Sequence, residues 1–126
     1  MEITRVDVVG IPSTNAERSR QFYVETLGLR PDERSWNEFW IGETCFAIWE
    51  PEQFGGEFAP QPNSIALLQV DDVQAARGDL EGKGVEFEGD TFDTGVCRMA
   101  MFKDPDGNRL TLHRRYAPYP DGSTAR

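Results

Sequence analysis

Histidine is almost absent from this sequence, in which His113 stands alone. A single imidazole excludes three-histidine zinc sites and two-histidine iron sites built within one subunit. It also leaves a single residue for acid–base chemistry by an imidazole near neutral pH. The range of metal and proton-transfer chemistry open to the chain is therefore narrow.

Cysteine is scarce as well, and long apolar runs are missing. Cys45 and Cys97 lack CxxC spacing, so we expect both to be reduced and to serve as small strand hydrophobes. No apolar run approaches the ~20 residues that cross a bilayer. Residues 1–5 do not have the basic, apolar and small order of a signal peptide. We expect a cytoplasmic protein with no membrane partner.

Positive charge is in the minority, with 13 Lys and Arg against 22 Asp and Glu and a net charge of −9. Such a field repels phosphate backbones and anionic lipid surfaces, so nucleic acid is not an expected partner. A neutral or cationic ligand fits the overall charge better. The acidity also has a simpler interpretation, which is solubility.

The first half of the chain reads as a strand, a helix and a hairpin. An apolar run at residues 3–11 predicts a strand, and Thr14 with Glu17 forms a capping box for the helix that follows. Gly28 is the predicted end of that helix. Aromatic-rich runs at residues 36–41 and 44–49 predict two strands joined by a tight turn.

The second half repeats this order. Residues 64–70 form an apolar strand pattern, and Asp71-Asp72-Val73-Gln74 is a capping signature for a second helix. Further strands are predicted at residues 85–87, 95–102 and 108–115. We predict an α+β fold of two such repeats that close on one another and leave a cleft between them, because each repeat alone leaves a sheet face uncovered.

We place one domain at residues 1–116, with module one at about 1–52, a linker at about 53–62 and module two at about 63–116. Residues 117–126 are predicted to form a flexible tail. The linker carries Phe54 and Phe58 around two glycines, which suits either a mobile flap over the cleft or an ordinary connecting loop.

Three motifs carry a resemblance to a known family: Phe22-Tyr23 with Leu27-Gly28, Val70-Asp71-Asp72, and Asp104-Pro105-Asp106-Gly107-Asn108. In this order they resemble the vicinal oxygen chelate superfamily, which includes glyoxalase I, bleomycin resistance proteins, fosfomycin resistance enzymes and extradiol dioxygenases. The resemblance implies an α+β fold of paired βαβββ modules that form a cupped mixed sheet around a cleft. Such modules often occur in a two-fold dimer, so we expect a homodimer.

Enzymes of that superfamily hold a divalent metal with His and Glu side chains at matching strand positions. The resemblance places these positions at Val8, Ala47, Ile65 and Thr111. Three of the four lack a donor atom, and a neutral threonine hydroxyl is a weak ligand. A slip of one residue in either direction restores no His/Glu set. We therefore expect neither a metal nor another cofactor.

Alternation along strands then selects the ligand-binding candidates, since residues two apart share a face. Indole rings and thioethers suit a planar apolar ligand, and a few polar groups would orient it. Core packing or a dimer interface is the alternative for the apolar candidates. For the polar candidates the alternative is a surface role: Glu38 would be a solvated strand residue, and His113 would be a hydrogen-bonded surface histidine. The candidates are Trp36, Glu38, Trp40, Trp49, Met99, Met101, Thr111 and His113.

The leading hypothesis is metal-independent binding and sequestration of an aromatic or polycyclic small molecule, possibly an antibiotic, with no catalytic residue. The alternative is a lyase, isomerase or oxygenase of the same fold, of the glyoxalase or dioxygenase kind. A metal-free version could use Glu38 or His113 as its base. A purely structural or protein-binding module is a third reading.

Overall fold

The computed structural model describes residues 1–123, and the order of elements repeats within them. Each half contains one strand, one helical segment and three further strands, so the predicted α+β class and βαβββ repeat are confirmed. No helix in this range is both long and apolar enough to span a bilayer. The strands are β1 (Val8–Pro12), β2 (Arg30–Pro31), β3 (Glu38–Ile41), β4 (Thr44–Trp49), β5 (Leu67–Gln69), β6 (Phe87–Asp93), β7 (Cys97–Lys103) and β8 (Arg109–Arg115), and the α-helices are α1 (Ala16–Gln21) and α2 (Val73–Gly82).

The first sheet has the strand order β1-β4-β3-β2, with β1 parallel to β4 and the other pairs antiparallel. One face packs beneath the helical segment. There the Tyr23 ring stacks on Phe39 at a centroid distance of 4.9 Å, and Phe39 stacks on Phe46 at 5.6 Å. Ile11 and Ile48 are buried on the same face. These aromatic stacks form the core of the first half.

The other face of this sheet, away from the helix, is here called the first distal face. The register pairs Gly10 with Ala47, Ala47 with Glu38, and Cys45 with Trp40. Because side chains alternate along a strand, these positions share one side. The first distal face therefore consists of Val8, Gly10, Glu38, Trp40, Cys45, Ala47 and Trp49.

The second sheet repeats the arrangement with the strand order β5-β8-β7-β6. Ala100, Phe102, Leu110 and Leu112 are buried on one face. Helix α2 lies on this side, where the Arg77 guanidinium sits 4.9 Å from the centre of the Phe87 ring. A register shift between Glu88 and Phe92 marks a bulge in β6.

The opposite face of this sheet is the second distal face. The register aligns Met101 with Thr111 and Met99 with His113 on neighbouring strands. On the other side of β8, Leu67 pairs with Thr111 and Gln69 with His113. The second distal face consists of Leu67, Gln69, Glu88, Phe92, Met99, Met101, Lys103, Arg109, Thr111 and His113.

The contacts of the chain divide it into two compact units, the first ending at Pro60 and the second beginning at Gln61. This division falls inside the predicted linker. The start of the linker has regular structure, since Pro51–Phe54 forms a 3₁₀ turn. Gly55, at φ 82°, ends that turn, and the Gly56 N–H bonds the Pro51 carbonyl at 3.0 Å. A positive φ of this kind favours glycine.

The capping box predicted for the first helix is wrong by one residue. Asn15, not Thr14, is the N-cap, and its side chain accepts the Arg18 N–H at 3.0 Å. Asn15 has the extended backbone that an N-cap needs, and its own N–H bonds the Ser13 hydroxyl. The capping signature Asp71-Asp72-Val73-Gln74 does begin α2, where Asp72 is the N-cap and its side chain accepts the Ala75 N–H at 3.0 Å.

Three further features differ from the sequence prediction. The first strand begins at Val8 rather than near residue 3, and α1 continues as a π-helical segment, Phe22–Thr26. Within the predicted tail, the Arg115 side chain donates to the carbonyls of Ala117 and Pro118, which ties residues 117 and 118 back to β8. Residues 124–126 of that tail lie outside the described residues.

Candidate functional site

Trp49 lies at the end of β4 on the first distal face, with 43% of its surface exposed. Its indole passes close over β1, since a Cβ built at Gly10 would come within 3.3 Å of Trp49 Nε1. The ring also lies 6.2 Å from that of Phe54, which is 77% exposed in the 3₁₀ turn. Two exposed aromatic rings thus stand together at this corner of the sheet.

Trp40 is held in place by polar groups near the other edge of the same sheet. Its Nε1 donates to Asp32 Oδ1 at 2.9 Å, and the Arg30 guanidinium lies 5.8 Å from the ring centre. The bond from Trp40 lowers the pKa of Asp32, with smaller contributions from the N–H groups of Arg34 and Ser35. Asp32 therefore stays ionised and fixes the indole orientation.

A groove of about 630 Å³ opens beside Trp40. This volume is within the usual range for small-molecule sites, roughly 300–1,000 Å³. Arg5, Arg30 and Arg34 contribute cations to its walls, and Asp32 with the neighbouring Glu33 contributes carboxylates. The groove is thus a mixed-charge surface with one aromatic wall.

Glu38 and Cys45 meet between the two tryptophans. The Cys45 Sγ donates to Glu38 Oε2 at 3.0 Å. Burial raises the pKa of the Cys45 thiol, and the Glu38 carboxylate raises it further, to about 11. The thiol is consequently protonated near neutral pH, and the Glu38 carboxylate accepts its hydrogen bond rather than standing fully solvated.

Trp36 does not share a face with Glu38 and Trp40, so the predicted alternation is wrong at this residue. Asp32 Oδ2 accepts the N–H groups of Arg34 and Ser35, and this turn keeps the chain out of the strand until Glu38. Trp36 instead lies beside α1, where Arg20 Nε donates to its carbonyl at 2.8 Å and the guanidinium lies 5.9 Å from its ring.

The candidates of the second half share the second distal face. Met99 and Met101 are half-buried and flank His113 and Thr111 on the adjacent strand. The Thr111 hydroxyl is buried and hydrogen-bonded to that of Ser64. The His113 imidazole is half-exposed and has no hydrogen bond to the described residues. This face therefore offers two thioethers and an available imidazole.

An ion cluster on the same face was missed by the sequence reasoning. Glu88 Oε1 lies 2.9 Å from Lys103 Nζ, and Glu88 Oε2 lies 2.8 Å from Arg109 Nε. Its members come from three strands. The only sequence signal was the alternation that puts Arg109 on the face of Thr111, and no spacing pointed to Glu88.

The residues at the metal positions do not fit a metal. Val8, Ala47 and Ile65 have no donor atom, and the Thr111 hydroxyl is already engaged with Ser64. Ile65 also precedes β5, although its N–H bonds the Arg109 carbonyl at 2.9 Å. Across the described residues, no group of three or more His, Cys, Asp or Glu side chains is placed to hold a metal ion.

Comparison with known proteins identifies relatives with related folds. Residues 5–112 match the model of the Glyoxalase/Bleomycin resistance protein/Dioxygenase superfamily. The antibiotic binding protein TnmS3 from Streptomyces sp. CB03234 has 28% sequence identity and a TM-score of 0.72, with 91% of this chain and 98% of that chain covered.

A glyoxalase/bleomycin resistance protein from the same Streptomyces also has 28% identity, with a TM-score of 0.65 over 86% of this chain and 98% of that one. Lactoylglutathione lyase from Agrobacterium tumefaciens shares the fold at a TM-score of 0.73 but only 13% identity, over 89% of this chain and 94% of that chain. No curated protein gives a significant sequence match.

Proposed function

The chain belongs to the Glyoxalase/Bleomycin resistance protein/Dioxygenase superfamily, and we propose that it binds and sequesters an aromatic or polycyclic small molecule without a metal. The family holds both binders and enzymes, so fold alone does not separate them. The chemistry of the distal faces favours a binder.

The observation that carries the proposal is the exposed pair Trp49 and Phe54. An indole left 43% exposed beside a second aromatic ring offers a flat apolar surface for stacking. Trp40, fixed through its N–H, adds a second indole on the same distal face. The 28% identity to an antibiotic binding protein supports the same reading.

The metal-independent part of the proposal rests on residue chemistry. The strand positions that would carry ligands hold aliphatic side chains and a hydrogen-bonded threonine. Sequestration needs no chemistry, because a binder lowers the free concentration of its ligand by mass action. Among the predicted contacts, the proposal keeps Glu38, Trp40 and Trp49 on the first distal face and Met99, Met101, Thr111 and His113 on the second distal face, and it omits Trp36.

We further propose that residues 1–116 act as one domain in a cytoplasmic homodimer. Val8 on the first distal face and Leu67 on the second are exposed apolar side chains, as expected of a surface that a second copy covers. Light scattering after size exclusion should give twice the 14.2 kDa mass of the chain. A mass of one chain at micromolar concentration would contradict the dimer.

The test of function is a tryptophan-fluorescence titration with planar polycyclic antibiotics and aromatic metabolites, with and without EDTA. Each ligand is recovered afterwards and its mass measured. We expect saturable quenching that EDTA does not change and a ligand that returns intact. Binding lost with EDTA, or a chemically altered ligand, would overturn sequestration in favour of an enzyme.

A further inference from the structure

Arg109 on the second distal face is held in a fixed orientation. Its Nε donates to Glu88 Oε2 at 2.8 Å, while the other oxygen of that carboxylate bonds Lys103 Nζ at 2.9 Å. Both carboxylate oxygens are thus engaged, and the arginine side chain is one-third exposed. A guanidinium held by its Nε loses little further freedom when it binds a second partner.

The terminal nitrogens of Arg109 remain available. The bond from Nε is the only hydrogen bond that its side chain makes to the described residues. Nη1 and Nη2 together carry four N–H donors in a planar fork, a geometry that matches a carboxylate. The arrangement therefore leaves the N–H groups best suited to an anion without an acceptor among residues 1–123.

The surroundings of Arg109 combine positive charge with the thioether of Met101, which is half-buried. Lys103 and Arg109 share one carboxylate, so the cluster retains a net positive charge although the whole chain carries −9. Thr111 is the next residue of β8 on this face, and Met101 is its partner on β7. The acidity of the whole chain favours a neutral or cationic ligand, whereas the positive charge of this cluster favours an anionic one.

We propose that Arg109, on the second distal face, binds an acidic group, a carboxylate or an ionised phenol, of an aromatic small molecule. This inference rests on the proposed function and narrows its ligand class to planar aromatic acids. The Nη groups donate to the anion, and Glu88 holds the guanidinium in orientation. Met101 contacts the apolar part of the ligand.

Calorimetric titration with 2-naphthoate and its neutral counterpart 2-naphthamide tests the proposal, because the two probes differ only in the acidic group. A charge-assisted hydrogen bond gives the acid an expected advantage of about tenfold or more in affinity. Arg109→Gln should remove that advantage and leave binding of the amide unchanged. Arg109→Lys, which keeps the charge but not the fork, should retain part of it.

Arg98→Gln is the matched control, since it removes the same charge from β7 on the face opposite Met99. It should leave the preference for the acid intact. Equal affinity of the protein for both probes, or a preference that survives Arg109→Gln, would overturn this inference while the proposed function stands. If the protein binds neither probe and none of the planar antibiotics, both this inference and the proposed function are overturned.

Discussion

The Cys45 thiol donates a 3.0 Å hydrogen bond to the Glu38 carboxylate across the antiparallel strands β4 and β3. The two residues are diagonal neighbours, since Glu38 pairs with Ala47 and Cys45 with Trp40. Burial and the adjacent negative charge both disfavour a thiolate here. The pair therefore keeps a protonated sulfur and an oriented carboxylate between Trp40 and Trp49.

Cys45 should consequently be slow to alkylate. With a pKa of about 11 instead of 9.0, its thiolate fraction at pH 8 is about a hundredfold smaller than that of an unperturbed thiol. Iodoacetamide labelling followed by mass spectrometry, in a Cys97→Ser background, measures the rate. Glu38→Gln removes the carboxylate and should raise the rate several-fold, although burial still limits it.

Glu43→Gln is the control for this experiment, because it removes a carboxylate from the hairpin turn without touching the thiol. Its labelling rate should equal that of the unmodified protein. If Glu38→Gln and Glu43→Gln give the same rate, the hydrogen bond to Glu38 does not govern the thiol.

Trp49 and Trp36 should respond differently to a ligand. Trp49→Phe should remove most of the quenching and weaken binding by about two- to tenfold, because a stacked aromatic pair contributes about 0.5–1.5 kcal/mol. Trp36→Phe should leave both unchanged, since Trp36 lies beside Arg20 on the helical side. Fluorescence titration of each variant with the same polycyclic ligand provides the measurement.

Trp36→Phe and Trp49→Phe are matched because both replace an exposed indole, and only the location in the fold differs. If Trp36→Phe loses the quenching and Trp49→Phe keeps it, the ligand binds on the helical side of the sheet and not on the first distal face.

The sequence predicted the order of helices and strands along the chain wherever the local chemistry was unambiguous. The β3–β4 hairpin follows from its aromatic alternation and from Gly42, which has φ 57°. The cap of the first helix was misplaced because Thr14 and Asn15 both carry a suitable oxygen, and only backbone geometry decides between them. The π-helical segment Phe22–Thr26 leaves no comparable sequence signal.

The site was less predictable than the fold, because its members meet through register and turns. Trp36 was assigned to the wrong side since a turn centred on Asp32 interrupts the alternation. Arg109 and Glu88 come together across β7, and the bulge in β6 ends the simple pairing after Glu88. Contacts of this kind depend on strand register, which residue spacing alone does not determine.

The turn between β7 and β8 should be a major source of stability. Asn108 is fully buried, where its Nδ2 donates to Asp104 Oδ2 and its Oδ1 accepts the Gln61 N–H, both at 2.9 Å. Asn108→Ala leaves these partners without their bonds, so we expect a loss of about 2–3 kcal/mol in the free energy of unfolding. Urea denaturation followed by circular dichroism measures it.

Asn63→Ala is the matched control, as Asn63 is exposed and makes no side-chain hydrogen bond within the described residues. It should change the free energy of unfolding by less than about 0.5 kcal/mol. Equal losses in both variants would contradict a special role for the buried Asn108 bonds.

Glu88 should make stability depend on pH in the acid range. Its bond from Lys103, followed by that from Arg109, lowers the pKa of Glu88 in the folded protein below its ordinary value of 4.5. A carboxyl with a depressed folded pKa contributes stability above its unfolded pKa and loses it as the pH falls through the folded one. Glu88→Gln should therefore flatten the decline of the unfolding free energy below about pH 4.5, as measured by urea denaturation at a series of pH values.

The matched control is Asp90→Asn, which removes one negative charge from the same strand without removing an ion pair among the described residues. The acid decline of Asp90→Asn should follow that of the unmodified protein. If both variants flatten it equally, the effect comes from net charge and not from the pairs that Glu88 makes. A decline specific to Glu88 would show that the cluster orienting Arg109 is formed in solution, which the binding of an aromatic acid requires.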